Sequence, residues 1–154
     1  MIDTLIHLGP YGMFLAAFLA GSFLPFSSEA VMLALLAMGS NAWGLIAWGT
    51  AGNVLGSVVN YQIGRLGKVE WFEKYLHVSP EAMDKARRFV GGRGAIMAFF
   101  AFIPLLGSAI MILLGLMRAN RTIAFTAMTI GKLLRYIILI YGAFFVAWLA
   151  SLLR

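Results

Sequence analysis

At 154 residues, with 62% apolar and only 12% charged side chains, the chain is too hydrophobic for a soluble domain, in which about a quarter of residues carry charge. Cysteine is absent and the two histidines, His7 and His77, are far apart, so disulfides and thiolate chemistry are excluded, metal chemistry has little to stand on, and no cofactor or metal is expected. The net charge of +6 does not call for nucleic acid, because seven of the twelve basic residues (Arg65, Lys68, Lys74, Lys85, Arg87, Arg88 and Arg93) sit in one polar connector; the positive-inside rule explains that clustering and places residues 65–93 in the cytoplasm.

Residues 5–64 contain one formal charge, Glu29, and Thr122 to Leu153 contain two, Lys132 and Arg135. Both stretches exceed the roughly 20 apolar residues that cross a bilayer, which predicts a multi-pass protein of the cell membrane. No Lys or Arg precedes Arg65, so the positive start of a removable signal peptide is missing and none is expected. Residues 4–22 read as one apolar helix, ended by a break from Gly21 to Ser28 in which Pro25 removes a backbone donor and disfavours a helical Leu24. A second arm, Ser28 to Met38, is about 16 Å long at helical rise and too short for a ~30 Å hydrocarbon core. It reads as part of a tilted, tightly connected pair of spans or as a re-entrant hairpin, whose broken backbone survives at depth only under protein or water. The re-entrant hairpin is the expectation.

Gly39-Ser40-Asn41 is a turn, and residues 42–64 make a full span carrying Gly44, Gly49, Gly52, Gly56 and Gly64. Small residues at that spacing permit close helix contact. In the connector, Lys68–His77 and Pro80–Val90 read as amphipathic helices at the cytoplasmic interface, with Ser79 as N-cap of the second. An apolar arm to Ile103, a break from Pro104 to Ser108, a second arm to Met117 and the turn Arg118 to Arg121 follow. Residues 122–153, about 48 Å as helix, form the last span, long enough to tilt, kink near Gly131 or Gly142, or run into the interface.

The two halves repeat. Residues 23–57 align without a gap to residues 102–136, with ten identical pairs in thirty-five, among them Phe23/Phe102, Pro25/Pro104, Asn41/Asn120, Thr50/Thr129 and Gly52/Gly131. Counting crossings puts Asn41 outside and Arg118 and Arg121 inside, so the second copy enters from the opposite face. The expected architecture is an all-α integral membrane protein, a single membrane domain over residues 1–154. In it an inverted repeat of re-entrant hairpin plus transmembrane helix (repeat one about 4–64, repeat two about 93–153) flanks the amphipathic connector 65–92. The breaks, Pro25, Ser27 and Ser28 in one copy and Pro104, Gly107 and Ser108 in the other, approach near the midplane.

Charged and amide side chains inside such spans are expensive, and mark a substrate or ion pathway by default. Glu29 follows the first break, where Ser27, Ser28 and Glu29 also suit a helix N-cap. Lys132 and Arg135 share one face of the last span. They form either a structural ion pair with Glu29 or a cationic site for an anionic head group, in which Arg135 suits bidentate phosphate contact better than Lys132. Asn53, Ser57 and Asn60 make one helical stripe, read as interhelical glue or as part of the pathway.

The stretches Leu24-Pro25-Phe26-Ser27-Ser28-Glu29, Gly52 to Ser57 with Tyr61-Gln62-Ile63-Gly64-Arg65-Leu66-Gly67, Phe102-Ile103-Pro104, Gly115 and Gly131-Lys132-Leu133-Leu134-Arg135-Tyr136 resemble the DedA superfamily, also called the SNARE-associated or VTT domain, and its short YqaA-like branch above all. The resemblance implies paired re-entrant hairpins and movement of lipids between leaflets: translocation of polyprenyl-phosphate carriers or scrambling of phospholipids, with dependence on the proton-motive force. The chain departs from the family pattern where Ala101 and Gly107 replace two arginines at the second break and Ser57 replaces an acidic residue.

These residues point first to a lipid translocase or scramblase lined by Glu29, Asn53, Ser57, Asn60, Lys132 and Arg135, with lipid head groups as partners and protons as coupling ions. A proton- or ion-coupled transporter of a small solute, and a non-transporting membrane scaffold, remain as alternatives. Homo-oligomers are compatible with the sequence. No nucleophile and base stand together, so an enzyme is not expected.

Overall fold

The computed structural model describes residues 2–22, 26–67, 88, 94–103 and 106–152. Its elements are α1 (Ile2–His7), α2 (Pro10–Gly21), α3 (Ser28–Ala37), α4 (Ala42–Leu66), a 3-10 helix (Gly94–Phe102), α5 (Leu106–Leu116) and α6 (Arg121–Leu152). The described residues are helices and their turns, and α4 and α6 are long and apolar enough to cross a membrane. Pro25, Pro104 and, apart from Arg88, the connector expected to form amphipathic helices lie outside the described residues.

Two elements differ from their expected form. The single helix over residues 4–22 is two, because Gly9 turns the backbone to φ 57° and Pro10 opens a new helix at its first position. The chain then doubles back, so that Gly12 rests against the Leu5 carbonyl, a contact only glycine allows. The first arm of the second half is a 3-10 helix. Its small residues recur every third position, at Ala95, Ala98 and Ala101, and the last two are buried; a three-residue turn stacks such a column on one face, where an α-helix would spread it.

The repeat has a structural counterpart at the level of single bonds. α3 and α5 end alike: Ser40 N–H donates to Leu35 O and Gly39 N–H to Leu36 O, and Ala119 N–H donates to Leu114 O and Arg118 N–H to Gly115 O, each at 3.0 Å. The turn residues Gly39 and Arg118 both have positive φ, 85° and 53°. α4 and α6 then begin alike, with Asn41 Oδ1 accepting from Gly44 N–H and Asn120 Oδ1 from Ile123 N–H. Met32, Met111, Leu35 and Leu114 are buried, and Leu55 and Leu134 are exposed. These identical pairs are thus caps, core positions and outward faces.

Side-chain contacts give the helix directions. α2 and α4 run parallel, with Tyr11 against Trp48, Gly52 on the Phe14 carbonyl, Gly56 on the Phe18 carbonyl, and Ser57 and Asn60 at Gly21. The 3-10 helix runs parallel to α6, with Gly131 on the Phe99 carbonyl and Arg135 on that of Phe102. α4 and α6 run antiparallel: Trp43 meets Tyr141, Asn53 meets Lys132 and Tyr61 meets Phe125. Two apolar clusters result, one around Met13, Val31, Met32, Leu35 and Leu45 with Tyr136 and Ile140 from α6, the other around Ala98, Met111, Leu114, Ala124 and Met128 with Tyr61 from α4. Each long helix lends a buried tyrosine to the other half's core. Past residue 143 α6 outruns α4, which leaves Phe144, Phe145, Trp148, Leu149 and Leu152 exposed.

Candidate functional site

The polar residues of the spans collect where α4 crosses α6 and where the end of α2 meets α5. Ser27 caps α3, its Oγ accepting from Ala30 N–H at 3.4 Å and donating to Glu29 Oε2 at 3.1 Å. Glu29 in the first turn of α3 forms an ion pair with Arg135 of α6. Arg135 Nη1 also donates to Phe102 O at 2.9 Å, at the end of the 3-10 helix. One guanidinium therefore joins α3, α6 and the end of the 3-10 helix. The side chains of Arg135 and Glu29 are 20% and 27% exposed, so the pair reaches a surface.

Behind it lies a closed network. Lys132, 3% exposed, donates to Asn53 Oδ1. Asn53 Nδ2 donates to Tyr136 Oη at 3.0 Å, and Tyr136 shares a 2.9 Å hydrogen bond with Ser28. Asn53, Ser28 and Tyr136 are buried. Of the two alternatives for the last-span cations, the ion pair with Glu29 is present at Arg135, whereas Lys132 is held by a neutral amide. A buried ammonium with a neutral partner keeps its desolvation cost.

The stripe of Asn53, Ser57 and Asn60 divides. Asn53 serves Lys132, and Ser57 and Asn60 both bond to Gly21 O at the end of α2. Of the second break, Gly107 packs on the Ala101 carbonyl, and Ser108 Oγ donates to Ser22 O at 2.8 Å, tying α5 to the end of α2. Tyr136 is the residue that composition and charge do not single out. Its signal is spacing: four residues after Lys132, it lies on the same helical face. Among the described residues no His, Asp or Glu cluster suits a metal ion.

No family model and no solved structure matches the chain. It is 29% identical over 128 residues to the inner membrane protein YqaA of Escherichia coli, covering 82% of this chain and 85% of that one. It is 32% identical over 143 residues to an uncharacterised protein of Haemophilus influenzae, covering 84% and 83%. A shorter match, 37% over 81 residues, links half of the chain to 37% of the membrane protein YkoX of Bacillus subtilis. The relatives and the two spanning helices place the protein in the inner membrane. The motifs around Glu29, Gly52, Gly64 and Lys132 and the length of these matches make the chain a member of the YqaA-like branch of the DedA membrane-protein superfamily.

Proposed function

We propose that the chain moves a lipid with a phosphate head group, a phospholipid or a polyprenyl phosphate, between leaflets without covalent chemistry, through two re-entrant hairpins in an inverted repeat. Inversion is supported by the crossing of α4 and α6. The repeat-equivalent residues Asn53 and Lys132 bond to each other, and α4 and α6 run antiparallel there. Equivalent residues of two copies meet where a two-fold axis passes between them, and antiparallel spans put that axis in the membrane plane. Re-entry is supported by length and level: α2 and α3 have 12 and 10 residues, and Gly21 at their tip bonds to Ser57 and Asn60 within the 25-residue α4. Arg65, Arg118 and Arg121 gather at one end, where Tyr61 Oη donates to Ala119 O, which supports a cytoplasmic position for residues 65–93.

The observation that carries the lipid reading is the Glu29–Arg135 pair, part-exposed beside the crossing of the spans. A guanidinium binds phosphate through two parallel hydrogen bonds, and a head group arriving there exchanges with the Glu29 carboxylate. Glu29 is then free to take a proton, which links lipid movement to the proton gradient. Lys132, Asn53, Tyr136 and Ser28 hold the site's shape. The closed network behind the pair also favours a second reading, a scaffold that transports nothing. Liposomes carrying the purified chain and a fluorescent phospholipid or polyprenyl phosphate decide between them. Lipid exchange well above that of empty vesicles is expected, together with loss of its pH dependence in Glu29→Gln; exchange no faster than in empty vesicles sinks the lipid reading.

A further inference from the structure

α6 starts beside the end of α4, where Tyr61 Oη reaches Ala119 O, and runs for 32 residues. At helical rise it has crossed a ~30 Å hydrocarbon core by about Tyr141. Trp43, at the start of α4, packs on Tyr141 there, and such aromatic side chains mark a membrane interface. Residues 144–152 stand beyond that level, where lipid chains no longer cover them. Yet they carry no charge, and Ser151 is their one polar side chain.

This overhang has two unlike sides. At 100° per residue Phe144, Phe145, Trp148, Leu149 and Leu152 fall within an arc of about 140°, and Ala143, Val146, Ala147, Ala150 and Ser151 fill the rest. The small side continues the line of Tyr136 and Ile140, which face the chain's own core. The large side continues the outward line of Leu134, Ile138 and Tyr141. Leu134, Ile138, Tyr141, Phe145, Trp148 and Leu152 thus form one row in alternating steps of four and three residues, each 42–70% exposed. Those steps are the heptad spacing along which two helices pack in a left-handed seam. Gly142 flanks the row, and a Cβ there would meet nothing, unlike at the glycines that seat α4 on α2. A mid-helix glycine costs about 1 kcal/mol relative to alanine. No contact within the chain explains it, whereas a second helix alongside does.

We propose that this row is the interface of a homodimer, in which α6 of a second copy lies parallel to it about a two-fold axis along the membrane normal. Membrane insertion gives all copies one orientation, so equivalent faces meet at equal depth. The row carries no charge and does not repel its twin. Phe144 and Leu149, at its flanks, are covered with it, which leaves only the small side of the overhang bare. The six side chains offer on the order of 700 Å² per chain, near the ~800 Å² that each partner gives to a stable interface. The dimer rests on α6 alone, whatever the protein transports.

The chain has no cysteine, so single cysteines in the full-length protein, oxidised in intact membranes, report the interface. Tyr141→Cys and Leu152→Cys are expected to form a disulfide-linked dimer, and Ala147→Cys and Ala150→Cys, on the small side, are not. Adding Phe145→Ser and Trp148→Ser to Leu152→Cys should abolish the link, whereas adding Ala147→Ser should leave it. All these positions are exposed, so the variants keep the fold. No linked dimer at any position, which would mean that α6 tilts to bring its overhang into lipid, overturns the interface. Equal linkage on both sides, or linkage to a protein of another mass, overturns it as well.

Discussion

The seam between α4 and α5 and its repeat counterpart between α6 and α3 are built from opposite materials. At the first, Gly64 lies on the Ile112 carbonyl and Gly115 on the Tyr61 carbonyl, backbone against backbone. At the second, the position equivalent to Gly115 is Leu36, and the helices meet through side chains, Ser28 with Tyr136 and Glu29 with Arg135. Glycine contacts have no side chains to rearrange, so the first seam is a fixed hinge block. Polar pairs depend on the placement of each side chain, so the second seam can rearrange where the first cannot. A common frame thus carries one seam of backbone contacts and one of side-chain contacts.

The largest effect should come from converting the first seam into the second. Gly115→Leu drives a side chain into the Tyr61 carbonyl and to within contact of Arg65 N. Overpacking against backbone costs about 3 kcal/mol or more, so most of the folded, monodisperse protein should be lost in size-exclusion chromatography. A Gly115→Leu chain that elutes like the parent would dissolve the distinction between the seams.

At the other seam, Glu29→Gln and Arg135→Gln should each destabilise. Their double variant should be more stable than the sum of the singles predicts, with a coupling of about 2 kcal/mol in a double-mutant cycle of detergent unfolding. Additive effects would mean that the pair does not hold the seam. Arg135→Gln should be the worse single change, because it also leaves Phe102 O without its donor.

Tyr136→Phe removes the shared partner of Ser28 and Asn53. Two buried groups are then unserved, a loss of about 1–3 kcal/mol, read as a lower Tm. A milder outcome would locate the strength of the seam in the Glu29–Arg135 pair alone. The smallest effects belong to what the repeats share: Asn41→Ala and Asn120→Ala each remove an equivalent cap and should cost about 1 kcal/mol apiece. A large difference between them would show that the asymmetry extends beyond the seams.

Much of this was legible in the sequence, because membrane spans obey a coarse rule. Residues 42–64 and 122–153 appear as α4 and α6 within two residues at each end, since apolar length and terminal asparagines set both. Charge scarcity also singled out Glu29, Lys132 and Arg135. Which cation Glu29 takes was not legible, because Lys132 and Arg135 share a face and the choice depends on the helix crossing. The doubling back at Gly9-Pro10 was hidden by uniform hydrophobicity on both sides. The 3-10 helix carried its signal in alanines every third residue, a period that is easily passed over inside an apolar run. Tyr136 was obscured because tyrosine in a span reads as an ordinary aromatic until a partner is placed opposite its hydroxyl.

The bond between Asn53 and Lys132 limits what each half can carry at the crossing. Were the two halves identical, each residue at the crossing would face its own twin. An asparagine can pair with itself, its amide donating to its copy's carbonyl, but two lysines there would repel each other in a medium with little water to screen them. A lysine at the crossing is therefore accommodated because its counterpart is an asparagine, and a change at either position alters what the other can be.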